Sequence, residues 1–259
     1  MKITVIGAGN IGSAIAKGLY NQCSDTHSLF ICLSDVEQDK LAANKAFCHQ
    51  TETNNQLAVT NADIVILAVK PWLIDMVLNE INPILIPEKQ IVISIASGVT
   101  IDHINEKLER TFALYRIIPN TAIAIGESMS LIVSENTTEE QDALITRLFE
   151  GMGKVQFISE SLMGAGTALT SCGIAYALRY MRAATEGGVQ LGFAADKAKE
   201  LIAQTLIGAA QLVLQNHSHP EVEIDKVTTP GGITIKGLNA MEEAGFSHSI
   251  IKGLIISNV

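Results

Sequence analysis

The chain lacks most of the features that assign a sequence to a class at a glance. Its four cysteines, Cys23, Cys32, Cys48 and Cys172, show no paired spacing, which points to reduced cytosolic thiols rather than a disulfide framework. Lysine and arginine total 18 against 27 acidic residues, a formal net charge of -9, and no basic cluster or basic amphipathic helix offsets it. Nucleic acid and anionic membrane surfaces are therefore not expected partners. The longest purely aliphatic run, Ile64 to Val69, is far too short to span a bilayer. Met1-Lys2 leads straight into a strand pattern and does not read as a secretory signal. Charged residues make up 17% against 47% hydrophobic, which excludes general disorder. There is no internal repeat and no low-complexity linker. The expectation is a cytoplasmic protein with one large domain or two moderate ones.

What is present begins at the N-terminus. Ile3-Thr4-Val5-Ile6 reads as a strand, Gly7-Ala8-Gly9-Asn10-Ile11-Gly12 follows at once, and Ile11, Ile15 and Leu19 then recur at helical spacing. A glycine triplet alone is weak, but strand, glycines and helix in that order point to a bound dinucleotide. Gly7 allows the tight turn, Gly9 lets backbone approach a pyrophosphate, and Gly12 lets helix and strand pack closely. Leu29 to Leu33 reads as a second strand ending at Ser34-Asp35, where an adenosine ribose is expected. Ile64 to Val69, Ile91 to Ile95 and Phe112 to Ile118 read as further strands. They end at Lys70-Pro71, at Ala96-Ser97-Gly98 and at Pro119-Asn120-Thr121, so these ends belong around one crevice. Ser130–Val133 and Val155–Ile158 look like two more strands. The helix between them is opened by Thr137 with Glu140 three residues later, a capping box.

From Ser161 onward the strand signal stops. Gly173–Leu191 and Lys197–Gln215 read as long helices, the second with Ala198, Leu201, Ile202, Thr205, Ala209 and Leu212 on one face. Thr234–Ala244 and Ser247–Ile256 read as shorter ones. The mean hydropathy of +0.28 is high, and mostly apolar helices with no covering sheet are best hidden against another subunit.

Val227-Thr228-Thr229-Pro230-Gly231-Gly232-Ile233-Thr234 is the second informative stretch. Proline followed by two glycines forces a turn, and Leu238, Met241 and Glu242 then fall at helical spacing, so Thr234 lies at or near a helix start. Unpaired N-terminal amides and the positive end of the helix dipole suit a small anion such as a carboxylate. The same turn also reads simply as a helix opening with a capping threonine.

Alcohol chemistry lacks its usual base. No Tyr is followed four residues later by Lys, and the position four residues after Gly164-Ala165-Gly166 is Thr170 rather than lysine. His217 and His219, beside Pro220, read as a solvated helix end rather than a metal site, and Cys172 as a small packing residue. Reduction of a protonated imine asks for less: an electrophilic carbon, a carboxylate anchor and a hydroxyl beside the nitrogen.

On these residues the chain resembles the pyrroline-5-carboxylate reductase family. The family's valine–serine/threonine–proline–glycine–glycine–x–threonine core is matched by Val227 through Thr234 and continues through Gly237-Leu238 and Met241-Glu242. Gly7 to Ile11, Ala68 to Pro71, Ser94 to Val99 and Pro119 to Thr121 also match, so the likeness covers nearly the whole chain. It implies an α/β Rossmann-type N-terminal domain over 1–158 and an all-α substrate-binding and dimerisation domain over 159–259. The implied reaction is hydride transfer from NADPH or NADH to 1-pyrroline-5-carboxylate, giving L-proline. The resemblance places coenzyme contacts on Ile6, Gly7, Ala8, Gly9, Asn10, Ile11, Ser34, Asn55, Ala68, Val69, Lys70, Pro71, Ile95, Ala96 and Ser97. Asp35 joins them by its position after the second strand. Substrate contacts fall on Glu160, Thr229, Pro230, Gly231, Gly232, Ile233 and Thr234, with Thr234 catalytic and no metal.

The resemblance further implies a homodimer or ring of dimers whose swapped helical domains complete each other's sites. Ser171-Cys172-Gly173-Ile174 replaces the family's glycine–serine–glycine–proline, and His217 stands where some members carry a carboxylate. Reduction of a related cyclic imine and a non-catalytic dinucleotide sensor remain as alternative readings. For the coenzyme, Asp35 favours NADH, Ser34 and Asn55 are available to a phosphate, and Lys40 is expected to face outward, so dual use with NADH at least competitive is expected.

Overall fold

The computed structural model describes residues 1–26 and 29–258. Two compact units result, residues 1–171 and residues 172–258.

The first unit is an eight-stranded sheet. Its elements in chain order are β1 (Lys2–Ile6), α1 (Asn10–Thr26), β2 (Phe30–Ser34), α2 (Gln38–Asn44), β3 (Gln50–Glu52), α3 (Asn55–Val59), β4 (Ile64–Leu67), α4 (Ile74–Ile81) and β5 (Ile91–Ser94). There follow α5 (Ile101–Leu108), β6 (Ala113–Ile118), β7 (Ser128–Glu135), α6 (Glu139–Glu150), β8 (Gly153–Phe157) and α7 (Met163–Thr167). The spatial order is β3-β2-β1-β4-β5-β6-β7-β8. All pairs are parallel except β6 with β7, a reversal that the alternation of patterns did not foretell.

Every residue of β4 and β5 is buried, as expected of central parallel strands covered on both faces. Alternate residues feed opposite cores. Ile64, Ile66 and Ile93 pack with Ile15, Leu19 and Phe149 of α1 and α6. Val65, Leu67 and Val92 pack with Ile74, Leu78 and Ile104 of α4 and α5. Met163, beyond the last strand, is fully buried in that second core.

One local expectation is corrected, and two elements appear where none was expected. The capping box is one residue later: Thr138 Oγ1 accepts from Gln141 N (3.2 Å) and Gln141 Oε1 from Thr138 N (2.9 Å). β3, with no strongly apolar residue, carried no strand signal. A helix over Pro220–Val227 was also missed; Pro220 occupies its first turn, and His219 Nδ1 accepts from Glu221 N (3.2 Å) at its start. His219 is therefore a helix cap, and among the described residues no group of three His, Cys, Asp or Glu side chains is placed to hold a metal.

The second unit is all helical: α8 (Gly173–Gln190), α9 (Ala195–Asn216), α10 (Pro220–Val227), α11 (Ile233–Glu243) and α12 (Phe246–Ile256). Tyr176 Oη donates to Gly253 O (3.2 Å) and Tyr180 packs edge-on to Phe246, tying α8 to α12. The expected apolar face of α9 is only partly covered within the single chain. Ala198 is buried, but Leu201 and Leu212 are exposed. One π-helical turn, Ala168–Cys172, joins α7 to α8. The resulting run Glu160–Gln190 has 31 residues and a window of mean hydropathy 1.2, long and apolar enough by length and composition to cross a membrane. A search for aliphatic runs misses it because Ala and Met supply much of that hydropathy and Gly, Ser and Thr interrupt the larger aliphatic residues.

Candidate active site

The carboxyl ends of β1, β2, β4 and β5 open onto one cleft of about 490 Å³. Its wall includes Ile6, Gly7, Gly9, Asn10, Ile11, Asp35, Asn55, Ala68 to Pro71 and Ile95 to Ser97. Every residue expected at the coenzyme is there except Ala8 and Ser34, which lie behind the surface. Ser34 is fully buried and its Oγ donates to Asn55 Oδ1 (2.8 Å), while Asn55 Nδ2 donates to Glu80 Oε2 (2.8 Å). The Ser34 hydroxyl thus reaches the cleft only through Asn55, a residue of its wall.

The glycine loop is built by close approach. Gly7 has φ +107°, and a Cβ there would lie 2.4 Å from Ala68 O. A Cβ on Gly12 would lie 2.0 Å from Gly7 O, so only glycine lets α1 start this close to β1. A Cβ on Gly9 would meet nothing within 4 Å. The space above Gly9 is therefore left open by the chain itself. The amides of the first turn of α1 have no intrahelical acceptor and lie at the positive end of a 17-residue helix. Loop, opening and helix end fit a dinucleotide pyrophosphate.

Asp35 is held from two sides. Its Oδ2 accepts from Ala8 N (2.7 Å) and its Oδ1 from Glu37 N (2.9 Å). Glu37 and Lys40 also line the cleft and form an ion pair with each other, so Lys40 turns inward rather than outward. That correction follows from its place in the first turn of α2, directly after the end of β2. Val36, Leu73, Met76, Val77 and Thr121 complete the lining and were not anticipated as contacts. Of these, only Thr121 had a sequence signal, the polar end of a buried strand.

Glu160 belongs to the first unit but not to the cleft wall. Its Oε1 accepts from Arg116 Nη1 (2.6 Å) and from Ile101 N (3.4 Å). Arg116 stands in β6 at the level of Ser94 and is almost wholly buried. Glu160 Oε2 and Arg116 Nε are both buried without a partner. The available signal for Arg116 was a lone charge inside an apolar strand. Nearby, Asn120 Nδ2 donates to Thr170 O (3.2 Å) and Ser171 Oγ to Pro119 O (2.9 Å). The Ser171–Cys172 departure thus falls on the π-helical turn.

In the second unit Thr228 Oγ1 donates back to Ile224 O (3.1 Å) and Asp225 O (3.2 Å). Gly231 has φ +70°, and Gly232 N donates to Thr229 O (2.9 Å). Gly232 is the N-cap of α11 and makes no side-chain cap bond, so Thr234 stands in the first turn, exposed. The turn and helix start are those read from the sequence. They present amides at a helix end together with the Thr229 and Thr234 hydroxyls.

Residues 160–257 match the family model for pyrroline-5-carboxylate reductase dimerisation. Residues 2–98 match that for NADP oxidoreductase, coenzyme F420-dependent. Pyrroline-5-carboxylate reductase 1 of Dictyostelium discoideum is 38% identical over 99% of this chain and 48% of its own, so the chain spans about half of that relative. The pyrroline-5-carboxylate reductase of Methanosarcina acetivorans is 34% identical over 98% of this chain and 94% of its own. The solved structure of a pyrroline-5-carboxylate reductase from Coxiella burnetii matches at TM-score 0.88 and 31% identity, over 98% of this chain and 95% of that one.

Proposed function

The chain belongs to the pyrroline-5-carboxylate reductase family, and from that premise we propose how its residues carry out the reduction of 1-pyrroline-5-carboxylate to L-proline, the last step of proline biosynthesis. It is an oxidoreductase that uses NADPH or NADH, with a Rossmann-type unit followed by a helical dimerisation region through which it self-associates. The bound coenzyme supplies the hydride. The amides around Gly9, Asn10 and Ile11 hold its pyrophosphate, and Asp35, Asn55, Ala68 to Pro71 and Ile95 to Ser97 line its path.

The Thr229–Thr234 turn holds the substrate. Amides around Gly231 and Gly232 bind its carboxylate at the N-terminus of α11, and the Thr234 hydroxyl bonds the ring nitrogen whose charge is lost as the carbon is reduced. Glu160 stands by as the acidic contact. The observation that carries this reading is the opening of α11, where, among the described residues, the Ile233 and Thr234 amides and the exposed Thr234 hydroxyl have no hydrogen-bond partner.

The functional boundary is placed between residues 158 and 159, because Glu160 acts with the helical region. The turn that completes a given cleft comes from a partner subunit, in a homodimer or ring of dimers. The apolar run Glu160–Gln190 is covered in that assembly rather than by lipid, and the enzyme acts in the cytoplasm.

The test is loss of dihydronicotinamide absorbance with and without pyrroline-5-carboxylate. Oxidation that depends on this substrate supports the reading. Oxidation only with another cyclic imine, or none with either, overturns it.

A further inference from the structure

Asp35 cannot leave the cleft cheaply. Its two oxygens are held by amides on opposite sides, Ala8 N in the glycine loop and Glu37 N beyond β2. Turning the carboxylate away would break both bonds and leave the amide of buried Ala8 without a partner. The side chain therefore keeps one orientation, at the end of the second strand of a Rossmann sheet. A carboxylate there accepts from a ribose 2′-hydroxyl and repels a 2′-phosphate.

The surroundings add to this charge rather than relieve it. Glu37 lines the same wall, and Lys40, the cation beside it, is already paired with Glu37. The hydrogen bond that Lys40 donates to Glu37, and then the charge of Asp35, raise the Lys40 pKa, so the ammonium is held in an acidic field. Lys70, the other cation in the cleft, leaves from the end of β4, two strands from β2 in the order β2-β1-β4 and so roughly 10 Å away across the sheet. Among the described residues no arginine lines the cleft. The Ser34 hydroxyl, expected to be available to a phosphate, already donates to Asn55 Oδ1.

We propose that this chain selects NADH over NADPH, because the pinned Asp35 carboxylate, reinforced by Glu37, occupies the position that a 2′-phosphate must enter. The inference rests on the reading of the cleft as the coenzyme site and sharpens the dual use expected from sequence.

The test is calorimetric titration of the full-length protein with NADH and with NADPH, alongside kcat/KM for each with pyrroline-5-carboxylate. NADH should bind about tenfold or more tightly at low salt, and the margin should narrow as ionic strength rises, since the penalty is a screened charge repulsion. Asp35→Asn removes the charge while keeping one side-chain oxygen for the Ala8 amide. It should move the ratio of dissociation constants toward NADPH by about tenfold. Asp35→Ser, which shortens the side chain, should move the ratio in the same direction. Equal binding of the two coenzymes, or a preference that neither substitution moves, overturns the proposal. Binding of neither coenzyme overturns it together with the cleft assignment. A clear NADH preference without turnover of pyrroline-5-carboxylate leaves it standing and defeats only the proposed reaction.

Discussion

Residues 1–171 bury the inward side chains of their sheet within a single chain, while among the described residues of 172–258 only Ala198 is a buried hydrophobic. Leu191 is 84% exposed and Ile256 76% exposed, and Leu212, Leu214 and Ile255 are also open. Both regions are rich in apolar residues, so composition does not separate them. The difference is geometric. A parallel sheet covered on both faces encloses its strands, whereas helices each bury one stripe and need something further for the other. The match of residues 160–257 to a dimerisation model says what that is: surface from another copy.

Cutting the chain between the two units should break this comparison most severely. A chain ending at Ser171 should fold, melt cooperatively and bind coenzyme, with no reductase activity. The isolated 172–258 segment should show no cooperative melt as a monomer. Circular dichroism and sedimentation decide it, and a stable helical monomer would show that the second region holds a core of its own. A cut at residue 158 should cost the first unit stability, because it removes Met163 from the core beneath α4 and α5.

Thr234→Ala tests the second region's chemistry and should lower kcat by roughly ten- to a thousandfold if the hydroxyl acts mainly in the transition state. Coenzyme affinity should stay as it is. Wild-type kcat would remove Thr234 from the mechanism.

Arg116→Met probes the first unit's interior. It leaves the Glu160 carboxylate with only the Ile101 amide, and it should lower unfolding free energy by about 1–3 kcal/mol in chemical denaturation. Arg116→Lys should recover part of the loss. No change would mean that the two unpartnered atoms already offset the pair.

The smallest effect lies on the surface. The hydrogen bond from His103, then that from Lys107, hold the Asp75 carboxyl below its ordinary value, and they join α4 to α5. A lowered folded-state value means stability that is present above the unfolded carboxylate range and lost as pH falls through the lowered one, below about pH 4. Asp75→Asn should therefore lower Tm slightly at neutral pH, by about a degree or less for an exposed site, and flatten its acid dependence. Asp196→Asn, which breaks a pair within α9 alone, should do less still.

The phase of α6 shows where reading by pattern stops. Thr137 with Glu140 and Thr138 with Gln141 both satisfy the box, one residue apart. Packing of Ile145, Leu148 and Phe149 into the core goes with the second. β3 was illegible because its residues, Gln50, Thr51 and Glu52, lie half-exposed at a sheet edge, where pairing with β2 rather than apolar burial makes the strand. The inward turn of Lys40 depends on Glu37 and on the cleft beside it, and no periodicity reports either.

The sequence by itself determined the glycine loop, the buried strands β4 and β5, and the turn before α11. Each is a local demand: close backbone approach that excludes a Cβ, continuous apolar character, and a Pro-Gly-Gly that cannot extend a helix. Only the tertiary structure decided that Asp35 is pinned by Ala8, that Ser34 turns to Asn55, and that Arg116 meets Glu160 forty-four residues later. Those contacts join residues far apart in the chain, whose approach is set by strand order and crossover connections. A short sequence pattern can specify its own backbone, but not what the sheet brings beside it.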